Sequence, residues 1–123
     1  MIPSPIKQHI TFLYTRDLEA TAHFYGEVLG LDVWLDQGDC LIYRVCQEGY
    51  IGFCRRASAP SQPRGVILCL VTEDVDGWAG YLQARGISLT KPPQLNPDYH
   101  IYHFFATDPN GYLVEFQRFL SER

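Results

Sequence analysis

Glu115 is the carboxylate best placed to do chemistry in this chain. It stands four residues after Gly111 in the run Asp108-Pro109-Asn110-Gly111-Tyr112-Leu113-Val114-Glu115-Phe116. Pro109 cannot donate to a ladder and Asn110-Gly111 tolerate positive φ, so the run predicts a tight turn feeding a strand. On that strand Val114 and Phe116 share one face, and Leu113, Glu115 and Gln117 share the other. A carboxylate held at a fixed distance from a turn, opposite an apolar stripe, suits a ligand site. The plainer alternative is a solvent-facing Glu, which burial statistics alone favour. An ionised Glu115 among apolar neighbours would need water, a His or a ligand cation, or would have to take up a proton. His103, on the preceding predicted strand and of one parity with Phe105, is a candidate partner. The sequence does not fix the hairpin register that would join them. Taken singly, His103 and His9 are more often strand residues bonded to backbone or water than catalysts.

Other reactive patterns are weak. Cys40, Cys46, Cys54 and Cys69 form no CxxC pair and lie in apolar, strand-like surroundings. The expectation is four small hydrophobic core residues, with a zinc site or a disulfide a distant second. No cysteine has an activating His nearby in sequence, and no Gly-rich phosphate loop or dinucleotide fingerprint follows a strand. A length of 123 residues suits one compact domain, and an apolar fraction of 46% with 20% charged residues is a globular composition. A net charge of −4 without any basic run argues against nucleic acid. No apolar run reaches membrane-span length and the first residues lack the features of a signal peptide, so the expected location is the cytoplasm.

The elements that must position Glu115 come in two sets. Gln8 to Tyr14 reads as a strand, and Asp17 as the N-cap of a helix whose apolar residues Leu18, Ala22, Tyr25 and Leu29 recur at helical spacing until Gly30. Short strands follow at Val33–Leu35, Cys40–Val45 and Tyr50–Arg55. The polar, Pro-rich stretch 56–65 is a linker. Then comes Val66–Val71, a helix opened by Asp74 and closed by Gly86, and strands near Ile87–Leu89, Tyr99–Thr107 and Tyr112–Phe119. Residues 91–98, with three prolines, read as a long polar loop. Asp17 and Asp74 lie 57 residues apart, Gly30 and Gly86 56 apart, and Gly49 and Gly111 62 apart. The chain therefore reads as a duplicated strand–helix–three-strand unit, with module one at about 8–55 and module two at about 66–119. Two such units side by side would close a curved sheet around a concavity.

With those landmarks in place, HITFLYTRDLEATAHFYGEVLGL followed by DPNGYLVEFQ resembles the vicinal oxygen chelate superfamily, the group of glyoxalase I, bleomycin-resistance proteins, extradiol dioxygenases and fosfomycin-resistance thiol transferases. The resemblance spans about Gln8 to Phe119. It implies an α+β fold of two tandem βαβββ modules forming a curved sheet around a cavity, helices outside, in a single domain over 1–123. It also implies a homodimer. Metal-dependent members place ligands seven residues ahead of each helix-opening Asp and four after the turn Gly of each half. Those positions here hold Ile10, Ile67, Phe53 and Glu115. Three of the four have no lone pair to offer, whereas zinc wants about four ligands and the hard cations about six. His9 sits one position off, and His9 with Glu115 would still be only two ligands.

The resemblance thus implies a cavity lined by Ile10, Phe12, Phe53, Ile67 and Phe105, with Glu115, His103 and Gln117 as its polar points. Trp34, Tyr43, Tyr99 and Tyr102 are candidates for stacking surface at the rim. The expected function is metal-free binding of a small organic molecule, aromatic or cationic, as in the bleomycin-resistance branch, with no cofactor. One alternative is a divergent lyase, dioxygenase or thiol transferase that retains Glu115 and a metal. The other is a regulatory or structural module with a vestigial cavity. Metal analysis separates the first two, and ligand-induced thermal shift separates the first from the third.

Overall fold

The computed structural model describes residues 1–120. Its contacts divide the chain into two compact units, Met1–Ser61 and Gln62–Arg123. Unit one holds β1 (His9–Thr15), α1 (Leu18–Ala22) with a π-helical continuation (His23–Val28), β2 (Asp32–Asp36), β3 (Cys40–Cys46) and β4 (Gly49–Arg55). Unit two holds β5 (Ile67–Val71), α2 (Val75–Ala84), β6 (Leu89–Asn96), β7 (Ile101–Thr107) and β8 (Leu113–Phe119). Each unit is therefore a βαβββ module, the architecture expected from the duplicated landmarks.

The two helices start by the same device. Thr15 and Thr72 each accept a hydrogen bond from the backbone N–H of the Asp two residues on, at 3.1 Å in both modules. Asp17 then accepts from the Ala20 N–H at 3.0 Å and Asp74 from the Gly77 N–H at 2.9 Å. Such side-chain caps satisfy one of the orphan donors of a helix start, a contribution of about 1 kcal/mol each. Past Ala22 the first helix widens, and the Leu29 N–H donates to the Phe24 carbonyl five residues back at 2.9 Å. Gly30 and Gly86 close the two helical segments with φ of 73° and 80°, a region that other residues enter only at a cost.

Each module carries one mixed four-stranded sheet, ordered β1-β4-β3-β2 in the first and β5-β8-β7-β6 in the second. The first strand pairs parallel with the last, and the other pairs are antiparallel. The helix covers one face of its sheet. In module one, Phe53 packs on Tyr25 with ring centroids 4.7 Å apart, and Thr15 meets Thr21 of α1 at 3.0 Å. In module two, Phe116 stacks between Phe104 at 4.9 Å and Trp78 of α2 at 5.2 Å. Phe53, Phe104, Phe116, Leu82 and Val114 are the fully buried heart of the two cores.

Three expectations are corrected here. The stretch 91–98 is no loop over most of its length: β6 runs through both prolines to Asn96. As the outermost strand of its sheet it has one side free of ladder bonds, and the register irregularity between Lys91 and Gln94 takes up Pro92 and Pro93. The cysteines are not four core thiols. Cys40 and Cys54 face each other across β3 and β4 and form a disulfide, while Cys46 and Cys69 are exposed. Tyr43, expected at a rim, is wholly buried against the first helix, where its hydroxyl finds no hydrogen-bond partner among the described residues. That burial, with the nearby charge of Asp36, raises its pKa.

Candidate ligand-binding site

The turn predicted at Asp108–Gly111 forms and fixes where Glu115 falls. The Asp108 carboxylate accepts from the backbone N–H groups of Asn110 at 2.9 Å and Tyr112 at 2.8 Å, and Gly111 takes a φ of 91°. β8 then alternates as its sequence requires. Val114 and Phe116 go under the helix, and Leu113, Glu115 and Gln117 go to the other face.

The register across that other face is set by the pairing. Lys91, Phe105, Glu115 and Cys69 form one row from β6 to β5, and Gln94, His103, Gln117 and Val71 form the next. His103 and Glu115 are diagonal neighbours in adjacent rows, within side-chain reach. His103 Nδ1 lies 2.6 Å from Glu115 Oε2, and both residues are 7% exposed. An ionised carboxylate only accepts, so Nδ1–H donates, and the imidazole tautomer this sets is the one with its lone pair at Nε2. Phe105 meets the His103 ring edge-on at 5.2 Å and fixes its plane.

Gln117 adds a further polar group to the cavity lining, backed by Cys69 of β5. Gln117 Nε2 donates to the Cys69 sulfur at 3.0 Å. Cys69 is exposed as a residue, but its thiol is partly desolvated and lies beside the Glu115 charge, which push its pKa up to about 11, so it is a neutral thiol at ordinary pH. The cavity measures about 750 Å³ and is walled by Ile67, Phe105, Leu95, Ile101 and Phe119, with Tyr99 at its edge. Lys91 is its only cationic lining residue, with Nζ 5.9 Å from the centre of the Phe105 ring.

Five expected site residues of module two thus meet in one place: Glu115, His103, Phe105, Ile67 and Gln117. Those of module one do not behave alike. Ile10 and Phe12 lie on the face of β1 turned away from the helix, Phe12 about half exposed. His9 has the opposite parity and bonds Thr11 at 3.3 Å. Phe53 is corrected outright, because it is on the helix-covered face and fully buried. The count from Gly49 misplaced it by one residue. Gly49 is not a turn residue like Gly111; it sits inside β4, paired with His9 and Cys46. Matching Ile10 with Ile67 makes Gly52 the counterpart of Glu115. Tyr102, expected at the rim, has the parity opposite to His103 and donates its hydroxyl to Asp76 of α2 at 2.5 Å. Trp34 rests on Tyr50 in module one at 4.8 Å. The sequence reading missed Cys69, Gln94 and Asn96. Cys69 was legible as two residues beyond Ile67 on the same face, whereas Gln94 and Asn96 were hidden by the prolines before them.

Residues 7–116 match the model of the Glyoxalase/Bleomycin resistance protein/Dioxygenase superfamily. The chain belongs to this superfamily. No curated protein sequence matches it significantly. Among solved structures, a glyoxalase/bleomycin resistance protein/dioxygenase from Nocardioides superposes with a TM-score of 0.79 at 21% identity, covering 100% of this chain and 89% of that one. A virulence protein from Salmonella typhimurium gives 0.73 at 23% identity, with 97% and 99% covered. A lactoylglutathione lyase from Agrobacterium tumefaciens gives 0.72 at 27% identity, with 95% of each chain covered.

The superfamily's metal positions can be checked against these side chains. Ile10 and Ile67 offer no donor atom, and neither does Gly52, the true counterpart of Glu115. Among the described residues no three His, Cys, Asp or Glu side chains converge as ligands for a metal ion. Glu115 is instead hydrogen-bonded to His103, and its cross-strand neighbour Cys69 is a protonated thiol at ordinary pH. The residues of one chain do not fit the superfamily's divalent metal.

Proposed function

We propose that this superfamily member binds a small organic molecule in the module-two cavity without a metal ion. The observation that carries this reading is the buried His103–Glu115 pair lining a cavity of about 750 Å³, whose apolar walls are Ile67, Leu95, Ile101, Phe105 and Phe119. Apolar walls supply affinity by desolvation and a few fixed polar groups supply orientation, and the volume falls in the usual range for small-molecule sites. Ile10 and Ile67, in place of donor atoms, support the metal-free part of the proposal. So does the engagement of Glu115 by His103.

Two further parts of the proposal concern assembly and location. β1 and β5 are sheet edges with exposed apolar side chains, among them Phe12, Tyr14, Ile67 and Val71. A second copy of the chain covering them would give a homodimer, which sedimentation at micromolar concentration tests directly. Among the described residues no helix is long and apolar enough to cross a membrane. The cytoplasm is the proposed location, a compartment in which the Cys40–Cys54 pair would stand reduced.

A lyase reading retains one supporting observation, the carboxylate at Glu115 together with the likeness to the Agrobacterium lactoylglutathione lyase. Metal analysis of the purified protein divides the two. Less than a tenth of a divalent ion per chain (~0.1) is the expected result, since even structural sites hold metal tightly. About one tightly held ion per chain overturns the metal-free reading. Aromatic ligands in a thermal shift screen should raise the melting temperature by mass action. In Glu115→Gln the fold should persist while that shift shrinks.

A further inference from the structure

The polar floor of the cavity is one-sided in its hydrogen-bonding chemistry. His103 donates through Nδ1 to Glu115, and its other nitrogen, Nε2, has no partner among the described residues. Nε2 is also not among the buried atoms sealed off unpaired, so it opens on the cavity that His103 lines. Gln117 repeats the pattern. Its amide nitrogen donates to Cys69, which leaves its carbonyl oxygen unpartnered and equally unsealed. His103 and Gln117 are direct cross-strand partners, so these two acceptors stand side by side on adjacent strands. Glu115 already accepts from His103 through Oε2.

We infer that the module-two cavity selects a planar aromatic carrying a neutral N–H or O–H donor, docked on His103 Nε2 and Gln117 Oε1, rather than an organic cation. This rests on the binding function proposed above and narrows it. A cation would face a carboxylate already engaged by His103 and the like charge of Lys91 in the cavity lining. An aromatic without a donor would fill the apolar walls and leave two buried acceptors stripped of water and unpaired, which costs affinity. A ring bearing N–H or O–H satisfies them and packs its faces against Phe105 and Ile67.

The test uses methyl-capped twins, which keep the ring and remove the donor. Indole against 1-methylindole and phenol against anisole are titrated into the purified full chain by NMR, with benzyltrimethylammonium as the cationic probe. Indole or phenol should bind at least about tenfold more tightly than its capped twin, the equivalent of one or two hydrogen bonds to buried acceptors. In Gln117→Met the gap should narrow about threefold, and in His103→Phe it should close. Gln117→Met carries the test if His103→Phe fails to fold. Equal affinity for the twins overturns the inference and leaves the binding function standing, as does tightest binding of the cation. If no probe of any kind binds, both fail together.

Discussion

Modules one and two are built from the same parts in the same order, yet only the second carries a polar dyad at the centre of its open sheet face. In module two the row across β8 and β5 pairs Glu115 with Cys69. In module one the equivalent row pairs Gly52 with Phe12. The Phe12 ring lies so close over Gly52 that a methyl group there would meet two of its atoms at 2.6 Å. One module has thus kept room and a carboxylate, and the other has given the same position to an aromatic ring resting on bare backbone. Duplication fixed the scaffold, and the two faces then diverged by single residues. The lesson is that the cap residues, strand order and helix-side core are constrained by folding, while the open face is free to specialise.

The comparison breaks most visibly at Phe53. If it lay on the open face, truncation would cost little. Packed on Tyr25 under the first helix, Phe53→Ala should cost about 3–5 kcal/mol in denaturant unfolding, and the half-exposed Phe12→Ala less than about half of that. Equal losses would mean that the two faces of module one have been wrongly distinguished.

A smaller effect is expected at Gly52. Gly52→Ala forces the Phe12 ring off its place and should destabilise by about 1–3 kcal/mol, as overpacking does. In Gly52→Ala/Phe12→Ala the added methyl should cost less than about half as much, because the ring it displaces is gone. A neutral Gly52→Ala would show that module one's face is as open as module two's.

The smallest effect is chemical. Cys46 and Cys69 are the two free thiols of the described residues, one in each module. With the Cys69 thiol raised to about 11, its thiolate fraction at pH 8 is on the order of one in a thousand. Its alkylation by iodoacetamide should therefore climb steeply between pH 8 and 11 and trail that of Cys46. In Glu115→Gln, removal of the neighbouring negative charge should lower that pKa and speed the reaction at pH 8. Unchanged labelling would detach Cys69 from the cluster.

Much of this architecture could be read from the chain. Asp17, Asp74, Gly30, Gly86 and the Asp108–Gly111 turn are local devices whose residue types dictate their geometry, and each occurs where its type requires. The failures share one cause, namely register. Gly49 and Gly111 look alike in sequence, but one is ladder and the other turn, so a count from them put Phe53 on the wrong face. Pro92 and Pro93 hid an edge strand because only the sheet order shows which side of β6 needs no donor. The His103–Glu115 pair was nameable as a candidate from strand parity, but its contact depends on a hairpin register that tertiary pairing sets. The Cys40–Cys54 bridge was not legible at all, since fourteen residues of separation say nothing of two strands placed face to face.

The measurement that bears most directly on the contrast between the modules is a residue-resolved NMR titration of the full chain with indole. Shifts centred on His103, Phe105, Glu115 and Gln117, saturating together while Tyr50 and Gly52 stay still, are the predicted result. Shifts centred on Tyr50 and Gly52 with His103 unmoved would contradict the assignment of ligand binding to the module-two face.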